Sequence, residues 1–128
     1  MDDFTRALEI TQPVDLTVLA NYESIQLEGE PDLIVELIDL YADDAPQRLG
    51  VMRQSVAERN WRGVKKGAHS LRGSSGSLGA QLVAQRCQEI ELLTEDTWGS
   101  IPALMSCLEV ELERALYVLL AVRTGRSE

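Results

Sequence analysis

An all-α fold is predicted by three features of this 128-residue chain, and its form is an antiparallel four-helix bundle with a short additional N-terminal helix. Apolar residues recur at spacings of three and four over four long stretches. Prolines and Asp or Asn stand where such stretches begin, and strand-like alternation is sustained nowhere over a useful length. The length suits one domain that buries about two-thirds of its unfolded surface. Short connections between long amphipathic helices make neighbouring helices antiparallel. The pattern divides the chain into an arm with a short helix (1–30), the bundle (31–123) and a tail (124–128).

Residues 1–14 show no sustained periodicity and contain Pro13, so they read as an arm. Asp15 is placed to cap a short helix that runs to about Tyr22, with Leu16, Leu19 and Ala20 on one side. Gly29-Glu30-Pro31 then breaks the chain, and Pro31 suits the first turn of the next helix, where a missing N–H costs little. Leu33, Leu37, Leu40 and Tyr41 pattern that helix, Ile34 and Ile38 widen the stripe, and Leu49, Met52 and Val56 continue it. Pro46 lies inside. The lost backbone bond and the clash with the preceding turn predict a kink near Asp43 to Ala45, or two helices meeting there.

Asn60 caps the following helix, whose core face is Trp61, Val64, Ala68, Leu71, Ser75 and Leu78. Gly73, Gly76 and Gly79 each cost about 1 kcal/mol relative to alanine, which ends this helix between Gly76 and Gly79. Leu82, Val83, Cys87, Ile90 and Leu93 mark another helix, closed around Thr94 to Gly99. The last runs from about Ile101 to Val122 on Leu104, Leu108, Val110, Leu112, Leu116 and Leu119. Pro102 lies in its first turn, and Arg123, Gly125 and Arg126 mark its end.

The formal charge of −9 is the wrong sign for a general nucleic-acid or anionic-membrane binder. It is also unevenly spread. Residues 59–88 contain no Asp or Glu but six cations, Arg59, Arg62, Lys65, Lys66, Arg72 and Arg86, so this stretch is at +6 and the remainder at −15. Such segregation indicates a local site for an anion or an acidic partner. Cys87 and Cys107 are too few and too far apart for a disulfide framework, and both read as reduced core residues. The acidic start Met1-Asp2-Asp3-Phe4 is unlike a secretory signal, and the longest apolar run, Ala115 to Val122, is far short of the ~20 residues of a spanning helix. The expectation is a soluble, cytoplasmic monomer whose helices bury their stripes within one bundle.

His69 is the single histidine of the chain. At about 100° per residue, Arg62, Lys65, Lys66, Arg72, Gly73 and Gly76 all fall within about 60° of it, while Val64 and Leu71 are more than about 120° away. A structural histidine, the commoner role for this residue in a helical protein, would share the core face. A merely solvated one would not need glycine at both the fourth and the seventh following positions, where each weakens the helix. Gly73 and Gly76 therefore read as clearance for an incoming group. Like charges at three- and four-residue spacing form ordinary solvated faces when Glu is interleaved, and here none is. A neutral imidazole is a nucleophile, and Lys and Arg hold phosphate oxygens. Together they describe a histidine that accepts a phosphoryl group.

The stretch Ala68 to Ala80, AHSLRGSSGSLGA, resembles the signature of histidine-containing phosphotransfer (HPt) domains, a His followed by x-Leu-Lys-Gly-Ser-Ser and then Leu-Gly-Ala. Ala84, Cys87 and Glu91 in AQRCQEIELL resemble the family's continuation, and Leu33 to Leu49 resembles its preceding helix, so that the likeness covers about residues 31–120. Arg72 stands where the family often has lysine. The resemblance implies a four-helix bundle with the phosphorylated histidine exposed on one helix, and relay of phosphate between aspartates of response-regulator receiver domains, including the receivers of hybrid histidine kinases. It implies His69 as the nucleophile, Arg72 with Lys65 or Lys66 on the phosphoryl oxygens, and Gly73 and Gly76 as clearance. Arg62, Lys65, Lys66, Ser70 and Arg72 would meet the partner. Ser74 and Ser75 suit bonds back to helix carbonyls better than contact with phosphate. No cofactor is expected on this chain, because the receiver brings the Mg2+ ion.

Other chemistry lacks its residues. The chain has no GxxxxGK[ST] loop, so no ATP site or autonomous kinase activity is expected, and Gly73, Gly76 and Gly79 form GxxGxxG rather than the dinucleotide pattern. GSSGS is not a GxSxG elbow. Zinc would need His69, Cys87, Cys107 and a carboxylate to converge without any local ligand pair, and a di-iron bundle needs two histidines. Nucleic acid would be repelled by the surrounding acidic body. The rival to a relay protein is a helical adaptor of the same fold that binds a receiver or a histidine kinase without being phosphorylated.

Overall fold

The computed structural model describes residues 12–127, and the first part of the arm lies outside the described residues. Among the described residues five α-helices follow one another: α1 (Leu16–Glu23), α2 (Leu33–Ala57), α3 (Trp61–Ser77), α4 (Gln81–Glu91) and α5 (Ile101–Ser127), with a 3-10 turn at Glu95–Ser100 between the last two. The helices α2 to α5 form a four-helix bundle. Around it α2 packs on α3 and α5, α4 packs on α3 and α5, and α1 lies against α2, so α3 and α5 face each other diagonally.

The helix starts are set by side-chain caps, two of them, Asp15 and Asn60, as expected and the third, Asp32, not. The Asp15 carboxylate accepts from the Thr17 N–H at 3.0 Å, Asp32 from Ile34 N–H at 3.0 Å, and the Asn60 side chain from Gly63 N–H at 3.0 Å. Each satisfies a donor that the first helical turn leaves without a backbone partner. Pro31 lies just outside α2 rather than in its first turn, since Asp32 is the cap. The loop before it is tied by Gln26, whose amide oxygen accepts from Leu33 N–H at 2.7 Å. α3 ends as the glycines predict. Gly79 takes φ +77°, Gly79 N–H donates to Gly76 at 3.1 Å, and Ala80 N–H donates back to Ser75 at 2.9 Å. This left-handed ending favours glycine, and a Cβ there would also meet the Asp15 carbonyl oxygen at 2.5 Å.

Other expectations are narrowed or corrected. Of the two outcomes expected at Pro46, the meeting of two helices is ruled out, because α2 is continuous through it. The proline ring is exposed, while Tyr41, Ala45, Leu49 and Met52 stay buried in register on both sides, and their burial outweighs the roughly 3 kcal/mol penalty of an interior proline. The break expected around Thr94 to Gly99 is present, and within it Glu95–Ser100 forms a 3-10 turn whose Trp98 stacks on Trp61 with ring centroids 4.4 Å apart. α5 does not stop at Val122 but continues to Ser127 through the stretch read as a tail. Its last turns are anchored by Arg123 on Asp39 and by Arg126 on Asp32 and Glu23, both at 2.8 Å for Arg126. Finally, Cys87 is buried but Cys107 is exposed, and Leu16, Ala20 and Leu40 face solvent while Val14, Leu19, Ile34 and Ile38 fill the core.

Candidate functional site

The site is built by two helices held in fixed rotation. Val64, Ala68, Leu71 and Ser75 are buried, which turns His69 and its neighbours outward. Gly67 makes the rotation possible. A Cβ on it would stand 2.5 Å from Met52 Cγ, so α3 lies against α2 at a distance only glycine allows. Under the site, the Ser75 and Tyr41 hydroxyls share a buried hydrogen bond of 2.6 Å. Burial pushes the Tyr41 hydroxyl up to about 12, so it is a neutral structural group.

His69 projects with 71% of its side chain exposed, and its two nitrogens differ. Nδ1 lies 3.2 Å from Glu91 Oε2 on α4, whereas Nε2 has no hydrogen-bond partner among the described residues. Glu91 also takes Arg72 Nε at 2.6 Å, and Arg72 Nη2 lies 3.4 Å from Glu91 Oε2 and 3.3 Å from His69 Nδ1. Partial burial raises the Glu91 pKa, but the hydrogen bonds and charges of Arg72 and His69 more than offset it and hold the carboxyl below its usual range. An ionised carboxylate only accepts. Nδ1 can donate to this carboxylate or accept from Arg72 Nη2, and the closer, ionised acceptor favours the tautomer with the proton on Nδ1, which leaves the Nε2 lone pair directed at solvent.

The remaining predicted residues surround this centre. Arg62 and Lys66 are exposed and Lys65 is half-buried, and none of the three has an ion pair or hydrogen bond among the described residues. Their charges are free to act on an incoming anion. Gly73 and Gly76 present open space, with nothing within 4 Å of an added Cβ. With Arg72 they line a groove of about 670 Å³ whose far wall is Gln81, Gln85 and Gln88 of α4. Ser70 lines a second groove with Lys66 and Arg48. Ser74 donates to the Leu71 carbonyl at 3.2 Å, while Ser75 bonds Tyr41 rather than a carbonyl.

Glu91 was given no role by sequence reasoning. Its signal was weak: it repeats the helical spacing of Ala84 and Cys87, and it is among the first acids after the acid-free stretch. Arg72 differs from expectation in being partnered already, so it reaches an anion only by sharing its donors with Glu91.

Comparison with known proteins decides the family. The Hpt domain model matches residues 36–121. The chain belongs to the Hpt family. Histidine-containing phosphotransfer protein 5 of Arabidopsis thaliana is 35% identical over 66 residues, 49% of this chain and 42% of that protein. Histidine-containing phosphotransfer protein 1 of the same plant is 26% identical over 111 residues, 85% of this chain and 70% of that protein. The chain thus spans less than half of the first relative. The crystal structure of histidine-containing phosphotransfer protein B from Pseudomonas aeruginosa PAO1 superposes with a TM-score of 0.79 over 90% of this chain and 97% of that one, at 23% identity, which bears on the fold alone. Among the described residues, no helix of this Hpt protein is long and apolar enough to cross a membrane.

Proposed function

We propose that this Hpt protein carries a phosphoryl group on Nε2 of His69 and exchanges it with aspartates of response-regulator receiver domains, including receivers of hybrid histidine kinases, in the cytoplasm. The observation that carries this reading is the asymmetry of the ring. Nδ1 is held by Glu91 and Nε2 faces solvent on a basic surface. The Nε2 lone pair attacks phosphorus of the aspartyl phosphate. The N–P bond forms as the P–O bond breaks, and the carboxylate leaves with the electron pair. The proton stays on Nδ1, so the ring becomes cationic and Glu91 balances that charge as it appears. Lys65, Lys66 and Arg72 attract the phosphoryl oxygens, while Gly73 and Gly76 admit the docking surface that bears them. Positioning and charge supply most of the help in such transfers. The metal ion belongs to the receiver, and this chain acts as an intermediate rather than as an enzyme with its own ATP site.

Incubation with a phosphorylated receiver domain tests the reading. The wild type should acquire label that is acid-labile and base-stable, as a phosphoramidate is. His69→Gln should acquire none, and equal labelling of that variant would refute the relay. Gly73→Glu should stay folded but transfer slowly, since it fills the clearance with a like-charged carboxylate. Receiver binding without label on His69 would establish the adaptor instead.

A further inference from the structure

The outward face of α5 is apolar where a solvated helix would be charged. Val110 is 53% exposed, Tyr117 80% and Leu120 43%, and Cys107 is exposed beside them. Between Pro102 and Gly125 the exposed charged residues are Glu113 and Arg114, an adjacent acid and base at the middle of the helix. The face is thus neutral on a chain of net charge −9, and two copies meet there with the least repulsion.

We propose that this face pairs with the same face of a second copy, the two α5 helices running antiparallel about a two-fold axis that passes between positions 113 and 114. The order of residues is complementary to itself under that operation. Residues equidistant from the axis face each other, so Glu113 of each copy meets Arg114 of the other, Val110 meets Tyr117, and Cys107 meets Leu120. A parallel pairing would instead set like charges side by side. Such an isologous contact closes at two copies. The stripe from Cys107 to Leu120 is about 20 Å long, which places the contact at the small end of specific interfaces and makes the dimer weak and reversible. Because α3 lies diagonally across the bundle from α5, both His69 faces remain on the outer sides of the pair. The pairing replaces the monomer expected from the apolar stripes alone, and it does not depend on the phosphotransfer reading.

Sedimentation equilibrium of the full chain from low to high micromolar concentration is the test. The wild-type mass should rise towards that of two chains. Glu113→Arg and Arg114→Glu should each remain single, but their equimolar mixture should associate, because two positive charges of one copy then face two negative charges of the other. Arg114 also pairs with Glu111 at 3.3 Å, so Tyr117→Glu serves as a variant that leaves that pair intact, and it too should remain single. Circular dichroism checks that each variant is folded. A wild type that keeps the mass of one chain throughout overturns the proposal, and so does a mixture of folded charge variants that fails to associate. A single-chain wild type destabilised by Tyr117→Glu would mean that the chain covers this face itself, and would overturn it equally.

Discussion

Replacing Glu91 by alanine tests the reasoning at its centre. The substitution removes the acceptor 3.2 Å from His69 Nδ1 and the two oxygens that fix Arg72 at 2.6 and 3.4 Å. A hydrogen bond to a charged group contributes about 1.5–3 kcal/mol when shielded from water. The His69 side chain is 71% exposed, and solvent screening brings its share down to about 1 kcal/mol. That share matters for rate because it grows as the ring becomes cationic during attack, so transfer should slow by about five- to tenfold. Single-turnover transfer from a phosphorylated receiver, measured across receiver concentrations, separates chemistry from docking. Glu91→Ala should lower the limiting rate and leave the half-saturating concentration near that of the wild type. Glu91→Gln, which keeps an acceptor oxygen without the charge, should fall between the two. Freed Arg72 could reach phosphate better and mask the loss, so the Arg72→Ala and Glu91→Ala variants are combined in a double-mutant cycle. Nitrogen chemical shifts of the ring give a readout independent of turnover, with the proton on Nδ1 in the wild type and a mixture of tautomers in the variant. A limiting rate within about twofold of the wild type in both Glu91→Ala and the double variant, or a wild-type ring protonated on Nε2, would refute the argument.

Further expectations concern stability. Gly67→Ala and Gly73→Ala make the same chemical change on one helix with opposite outcomes. The first drives a Cβ to 2.5 Å from buried Met52 and should cost about 1–3 kcal/mol, whereas the second meets nothing and should gain about 1 kcal/mol in helix propensity, both read from urea midpoints; equal shifts would contradict the packing. Tyr41→Phe or Ser75→Ala alone strands one member of the buried 2.6 Å pair and should cost about 1–3 kcal/mol, while the double variant should cost less than the sum. Two pH limits follow from the ionisable groups. Asp32, held down chiefly by its hydrogen bonds with Arg126, and Glu91, held down by Arg72 and His69 against its burial, contribute stability above their ordinary values of 3.8 and 4.5 and lose it as pH falls through their lower folded values. Burial lifts Tyr41 from 10.0 and Cys87 from 9.0 to about 12 each, so their neutral forms stabilise fully below the ordinary values and that contribution fades as pH rises towards about 12. A urea midpoint unchanged between neutral pH and about pH 11 would contradict the burial of these two groups.

How far residue order discloses such a molecule depends on how far apart the interacting groups lie along the chain. The position of His69 was legible because one period of 3.6 residues relates it to Val64, Leu71 and the cations, all within a single helix. The caps Asp15 and Asn60 were legible for the same reason, since they act on N–H groups two or three residues away. Of the two outcomes expected at Pro46, the division into two helices fails because the buried residues that continue the helix on both sides of it were not weighed against the local penalty. The end of α5 was misplaced because Arg126 is held by Asp32, 94 positions earlier. The Trp61–Trp98 stack and the Glu91–His69 contact were hidden in the same way, each needing the rotation of two helices to be known first.

Glu91 also changes what the basic face means. Read from the sequence, the cations around His69 form one attractive ring in which Arg72 is the leading phosphate ligand. In the folded chain the groups divide by partner. Lys65, Lys66 and Arg62 have no counter-ion among the described residues and set the field that an incoming anion meets, while Arg72 and Glu91 are bound to each other and to the ring. A carboxylate inside a phosphate-handling site would repel its substrate if it stood alone. Paired with Arg72 it is close to neutral at a distance, yet at 3.2 Å from Nδ1 it still acts on the imidazole. On the proposed relay, that combination would let one face both draw a phosphoryl group in and present it with the nucleophilic nitrogen. The departure from lysine at position 72 fits this arrangement, because a guanidinium holds the Glu91 carboxylate through two nitrogens, Nε at 2.6 Å and Nη2 at 3.4 Å. Lysine, a single point of charge, would hold that carboxylate through one nitrogen and leave its orientation towards the ring less fixed.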